Sequence, residues 1–387
     1  MADLSPSPAT HPAGYAGPTW GGTPGWDWKP VTPSQLSTHA DHSRSPYRAL
    51  ADDAGAEVPA LYALLRRGTI WLIELVIEEG MAHLNNPFVV AGDARRHARL
   101  VEAIAKRDPA KTVLTVSNHC CTLDDPILFG KLLPPALAGE ARSQRWSLCS
   151  QEVCFRNPAL ATFFGAGKVL PIKRGVGVDQ PQLLDFARKA AQGGQWLHLF
   201  PEGKIYQSGS LAADYFLARS DGRAAEIGRM KWGAGKIIAH CPRRMVVVPF
   251  HHAGMEGVVP QYETGHLKTT MPMGGHDGEG ATVTARFGEP IEFGDLIEEH
   301  EREHGKLWKY KARREEGERW ESSGADKLLY SRIMRRIEAR LKELEGESKR
   351  DGGEAARASR KVIRDNLATP QRPPNTGGGG YKEEDVP

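Results

Sequence analysis

Short runs rich in β-branched and apolar residues recur along this chain between helix-patterned stretches, and that rhythm constrains its fold more than any other feature. Thr112 to Ser117 is one such run, and Val169 to Ile172, Trp196 to Phe200, Met245 to Pro249 and Ala281 to Phe287 share its character. Each is short enough for a buried strand. Helical patterns lie between them at Gln182 to Gln192 and Lys231 to His240, and a polar amphipathic stretch from Ala94 to Lys106 precedes the first run. Strands that are apolar on both faces must be covered on both. The alternation therefore predicts an α/β fold, a mixed and largely parallel sheet covered by helices.

The flanks of this region differ in composition. Residues 1–48 hold eight Pro, five Gly, three Trp and two Arg, with neither a helical nor a strand period. They cannot repay the entropy of ordering, so a disordered arm is expected. It carries neither the apolar run of a secretory signal nor the Arg content of a clear mitochondrial presequence. The ordered domain is expected over 60–300. A charged segment and a docking helix follow over 301–345, with Leu328, Leu329, Ile333, Ile337, Leu341 and Leu344 on one helix face. From Gly346 to 387 the Gly-, Lys-, Glu- and Pro-rich composition predicts a disordered tail.

Charge and cysteine content exclude several classes. With 51 Lys plus Arg against 48 Asp plus Glu, overall charge gives no reason to expect nucleic-acid binding. Five Cys at no regular spacing argue against a disulfide scaffold and against paired zinc knuckles. No stretch reaches the roughly 18 to 20 apolar residues of a spanning helix. The segment 61–84 is the exception that invites a membrane reading. Leu61, Leu64, Leu65, Leu72, Leu75 and Val76 form one stripe, while Ile70, Trp71, Ile73 and Ile77 fill the opposite side. A helix apolar almost all round, with Arg66 and Arg67 at one end and Glu78 and Glu79 at the other, fits the membrane interface through Ile70, Trp71, Ile73 and Ile77, and fits a buried core position equally.

The chemistry concentrates after the first strand, in Asn118-His119-Cys120-Cys121-Thr122-Leu123-Asp124-Asp125-Pro126. A His leaves the strand end and a carboxylate follows five residues later. If a helix begins near Thr122, both side chains face one cleft, and the Asp fixes the imidazole as a general base for an alcohol. The alternative is that Asp124 or Asp125 merely caps the helix. At the end of Trp196 to Phe200 stands Pro201-Glu202-Gly203-Lys204, in which Gly203 permits close approach of a ligand, Lys204 suits an anion and Glu202 suits a polyol. Lys173-Arg174-Gly175 follows another strand, and Arg174 matches a phosphate bidentately. Arg229, Lys231, Lys236, Arg243 and Arg244 form a second basic stretch. His251 and His252 close the strand from Met245 and read as polar packing, as ligands or as a further acid/base pair. No Gly-x-Ser-x-Gly elbow is present, and Gly233-Ala234-Gly235-Lys236 lacks the first Gly and the final Ser or Thr of a phosphate loop. His119, Cys120, Cys121, Cys149 and Cys154 do not have the spacing of a zinc site, so no metal and no cofactor is expected.

Taken together, Asn118-His119 with Asp124, Lys173-Arg174-Gly175, Phe200 to Lys204 and Val248-Pro249 resemble the four-block signature of the glycerolipid acyltransferase superfamily. More narrowly, Asp124-Asp125-Pro126, Gly167-Lys168, Lys231-Trp232-Gly233 and His252-Ala253-Gly254-Met255 are similar to the tafazzin family, over roughly residues 60 to 295. The resemblance implies a transacylase that moves acyl chains between phospholipid and lysophospholipid without acyl-CoA. It also implies cardiolipin and monolysocardiolipin as substrates on one membrane leaflet, and a mitochondrial location. His119 would be the base and Asp124 its orienting partner, with Arg174, Lys204 and Lys231 on phosphate and Glu202 and Gly203 beside the glycerol. An acyl-CoA-dependent lysophospholipid acyltransferase with the same dyad is the alternative, and a non-catalytic membrane-binding protein a remote one. Cys120 and Cys121 depart from the family, standing where small polar residues are expected.

Overall fold

The computed structural model describes residues 60–83, 86–174, 176–203, 205, 230–259, 282–311 and 320–368. The arm at 1–48, Gly175, Lys204, Arg229 and the tail beyond Ala368 lie outside these. In chain order come α1 (Ala60–His83), β1 (Phe88–Ala91), α2 (Ala94–Lys106), β2 (Lys111–Ser117), α3 (Asp124–Leu132), β3 (Ser147–Ser150), α4 (Pro158–Ala166), β4 (Val169–Ile172), α5 (Pro181–Gln192), β5 (Trp196–Leu199), α6 (Gly233–Ala239), β6 (Arg244–Ala253), β7 (Val283–Phe287), α7 (Gly294–His304) and α8 (Gly324–Ala368). One-turn helices occupy Pro135–Ala138, Gln151–Cys154 and Met255–Val258.

Five strands form a sheet in the order β1-β7-β6-β2-β5, and β3 and β4 form a parallel pair beside it. Trp146, just before β3, bridges Leu197 of β5 in parallel, so the small sheet continues the large one. β2 pairs with β5 and with β6 in parallel, and only β6 against β7 is antiparallel. The mixed, mostly parallel α/β sheet is thus as the alternation predicts. β1 and β3 are additional strands, four residues each and without a sequence period of their own.

The strands are apolar on both faces because both are covered. Leu114 and Val116 of β2 face a core with Phe186 of α5, Ile237 and Ile238 of α6 and Ile333 and Ile337 of α8. Val113 faces the other core, with Leu100 and Ile104 of α2, Leu128 and Phe129 of α3 and Ile77 of α1. Local signals set the helix ends. Asn157 caps α4 by accepting from the Leu160 N–H at 2.9 Å, ahead of Pro158 in the first turn. Gly193 ends α5 at φ +73, where a Cβ would lie 2.0 Å from the Pro109 carbonyl oxygen, so no other residue fits.

Two expectations are corrected. Ile70 and Ile77, assigned to the membrane face, are 3% and 7% exposed, because α1 packs that side on α3 and α4. The outward stripe is the other one, with Leu61, Leu64, Leu72, Leu75 and Val76 exposed beside Trp71, and Ile73 is half-buried. The expected tail from Gly346 is helical to Ala368. Ser348 meets the His251 Nδ1 at 3.1 Å, and Arg286 pairs with Glu347 at 3.4 Å and with Asp351. A helix already docked through Ile337, Leu341 and Leu344 propagates at little cost past weak helix formers. Cys149 and Cys154, five residues apart, form a local disulfide. No helix among the described residues is long and apolar enough to cross a membrane.

Candidate active site

The C-terminal ends of β2, β5 and β6 lie level, since Ser117 pairs with Phe250 and Val116 with both Leu199 and Pro249. Open α/β sheets hold ligands at that edge. His119 leaves it two residues past β2, and α3 starts at Asp124, so the five-residue spacing turns both side chains toward one point. The His119 Nδ1–H donates to Asp124 Oδ2 at 2.8 Å. The same oxygen accepts the main-chain N–H groups of Cys120 at 2.8 Å and Cys121 at 2.9 Å. Asp124 is fully buried, while the His119 side chain is 19% exposed. The carboxylate therefore fixes the imidazole tautomer with Nδ1 protonated and leaves the Nε2 lone pair for a substrate proton.

The rest of the shell comes from distant parts of the chain. Glu202, buried at the end of β5, accepts the His119 backbone N–H through Oε1 at 2.8 Å. The His119 ring stacks on Phe200 with centroids 4.1 Å apart. Asn118 clamps β6, its Nδ2 donating to the His252 carbonyl and its Oδ1 accepting the His252 N–H, both at 2.9 Å. His252 Nε2 donates to the Asn118 carbonyl at 2.8 Å and lies 3.7 Å from Asp124 Oδ2. Beneath Phe200, His198 bonds Thr115 Oγ1 through Nδ1 at 2.9 Å. Its complete burial, with Arg145, His252 and His119 nearby, pushes its pKa well below the usual range and keeps it neutral. Burial likewise raises the Cys120 thiol, with Asp124 and Glu256 adding to the effect.

Of the other expected site residues, the structure brings Lys231 against Gly203. A Cβ at Gly203, which has φ +71, would lie 2.9 Å from Lys231 Cγ, and the Lys231 N–H donates to the Pro201 carbonyl at 2.7 Å. Arg174, two residues past β4 at the same sheet edge, is exposed and 3.5 Å from Glu152. Gln180 closes the base of its loop, accepting the Lys173 N–H at 2.9 Å and donating to the Gly177 carbonyl at 2.7 Å. Lys204 lies outside the described residues. Glu202 faces inward to the His119 main chain rather than outward as a polyol ligand would. Asp125 does not cap α3. It pairs with Arg145 and accepts from Ser147 Oγ at 2.6 Å. Lys236 is buried against Asp179 at 2.8 Å and plays the part of a core ion pair. Sequence reasoning missed Asn118 as the clamp on β6, and left His252 between packing and chemistry. Its signals were a pair of His at a strand end and the resemblance carried by His252-Ala253-Gly254-Met255. A cavity of about 220 Å³ lined by Lys111, Gln195, Trp196 and Val246 sits at the opposite edge of the sheet and contains none of these residues.

Residues 97–253 match the family model described as Acyltransferase, which spans the dyad, Arg174, Glu202 and His252. The match covers about two fifths of the chain. Among curated proteins the chain is 34% identical to the N-acylphosphatidylethanolamine synthase of Arabidopsis thaliana over 199 residues, 50% of this chain and 61% of that one. It is 33% identical to the Tafazzin of Drosophila melanogaster, over 51% of this chain and 45% of the relative. It is 36% identical to a Dictyostelium discoideum protein named Taffazin, over 42% and 52% respectively. The alignments thus span about half to three fifths of the relatives' length.

Proposed function

We propose that this chain is a phospholipid–lysophospholipid transacylase that works without acyl-CoA and remodels cardiolipin, among other phospholipids, at mitochondrial membranes. The 2.8 Å contact between His119 Nδ1 and Asp124 carries the reading, because it leaves Nε2 free as a base beside solvent. His119 Nε2 takes the proton of a lysolipid hydroxyl as the oxygen attacks the donor's ester carbonyl. The buried Asp124 favours the imidazolium that forms, and His119 returns the proton to the departing glycerol oxygen. One ester breaks, one forms, and a lysophospholipid leaves. Arg174 and Lys231 hold phosphate, Lys204 is assigned the same role, and Gly203 makes room for the Lys231 side chain. Similarity to the two tafazzins supports lipid as both donor and acceptor.

Substrates that reside in a bilayer call for attachment to one leaflet. The exposed stripe of α1, from Leu61 to Val76 with Trp71, is the membrane face, in place of the Ile70 and Ile77 side.

The test is transfer of a labelled acyl chain from phosphatidylcholine to monolysocardiolipin by purified protein without CoA. Turnover is expected, and His119→Ala should lower it about 10²- to 10⁴-fold with the fold intact. Transfer only with acyl-CoA would instead establish the acyl-CoA-dependent alternative, and lipid binding without transfer by the unaltered protein a non-catalytic role. The Arabidopsis relative's name favours a second reading, an amine acceptor on phosphatidylethanolamine. Mild alkali separates the two products, cleaving an ester and sparing an amide.

A further inference from the structure

Behind the dyad, the Cys120 thiol is surrounded by more acceptors than it has protons. Its Sγ lies 3.7 Å from His252 Nδ1, 3.9 Å from Asp124 Oδ1 and 3.6 Å from Glu256 Oε2. His252 gives its Nε2 proton to the Asn118 carbonyl, so Nδ1 presents a lone pair. Asp124 spends Oδ2 on three donors, and the one bond of Oδ1 among the described contacts is the long one to this thiol. A single S–H proton satisfies one of the three acceptors. Glu256 Oε2 also accepts the Gly254 N–H at 3.0 Å, so Asp124 Oδ1 and His252 Nδ1 are the pair that compete for that proton, in a site where Cys120, Asp124 and His252 are all buried.

We infer that Cys120, His252 and Asp124 form an inhibitory site for a zinc-class divalent cation, with the Glu256 carboxylate beside the sulfur. Ligand atoms of the first three lie within 4.8 Å of one another. Tetrahedral zinc, with bonds of about 2.0 to 2.3 Å, places its ligands about 3.3 to 3.8 Å apart, so the sulfur-centred distances need only a small contraction. The other nitrogen of His252 is already anchored to a backbone carbonyl, the arrangement that orients ligating imidazoles. Binding releases the thiol proton to solvent as a metal–thiolate bond forms. The ion then neutralises the carboxylate that supports His119, and its charge disfavours the imidazolium on which proton transfer depends. Inhibition rests on the acyltransferase reading above, whereas binding does not.

Cadmium, which reports its thiolate bond as a near-ultraviolet absorbance, is the binding probe, added to the chelator-treated full chain. One equivalent and a thiolate band are expected, kept in Cys121→Ser and Cys241→Ser and lost in Cys120→Ser. Glu256→Gln should weaken cadmium affinity at least threefold, which covers the case in which Cys120→Ser fails to fold. A band that survives Cys120→Ser, or no band in the unaltered protein, overturns the site. Zinc should slow lipid transfer at least tenfold in the unaltered protein, with the rate of Cys120→Ser compared only with its own metal-free rate. Equal zinc sensitivity in both overturns the inhibitory role. Transfer that persists in His119→Ala while cadmium still binds would remove the catalytic reading and leave the metal site standing.

Discussion

Asp124 does two jobs with one oxygen. It orients the His119 ring, and it absorbs two main-chain N–H groups that the turn from β2 into α3 leaves without helical partners. Glu202 does the same for the His119 main chain, so His119 is held at both backbone and ring. Removing that brace has a calculable cost. Glu202→Ala strands a shielded N–H and should destabilise the protein by about 1–3 kcal/mol, while Glu202→Gln, whose carbonyl still accepts, should lose less; urea midpoints measure both. His119 and Asp124 were legible in the sequence because a five-residue spacing at a strand end brings them together locally. Glu202 and His252 stand 83 and 134 or fewer residues away along the chain, so their contacts with this turn depend on how β5 and β6 are registered against β2.

At the scale of elements, α1 shows where a pattern stops short. Both of its faces are apolar, so periodicity marks two stripes without telling which one the core takes. Packing on α3 and α4 decides it. Leu72→Asp with Val76→Asp should abolish flotation with cardiolipin-containing liposomes and leave the melting temperature nearly unchanged. Ile77→Asp, which buries a charge, should instead destabilise by about 3 kcal/mol or more, read as a lowered melting temperature. The same helix carries a proton-sensitive contact. Glu74 lies against Gly130 of α3 and accepts from Gln144 Nε2 at 3.3 Å, and burial raises its carboxyl from 4.5 to about 7, opposed by Arg145. Folding thus favours the protonated form. Its stabilising contribution is fully present below pH 4.5 and is lost as pH rises through 7. Melting curves of Glu74→Gln should therefore match the parent near pH 5 and exceed it at pH 8.

Over the whole molecule, α8 ties the sheet together late in the chain. Tyr330 crosses α6 so closely that a Cβ at Gly235 would lie 2.7 Å from the Tyr330 carbonyl oxygen, and Ile333, Ile337 and Leu341 complete one core face. Ile337→Ala should cost about 2–5 kcal/mol in urea unfolding, since the long helix cannot collapse into the space left behind. The sequence by itself determined the layered α/β architecture and put His119 and Asp124 on one turn, because alternation, turn residues and short spacings are local properties of a chain. Only the tertiary structure decided which stripe of α1 meets solvent, that the helix after Gly324 runs on to Ala368, and that Cys120, Asp124, His252 and Glu256 converge. Those outcomes depend on which of several acceptable surfaces a distant element covers, and the free energy of covering one belongs to both partners at once.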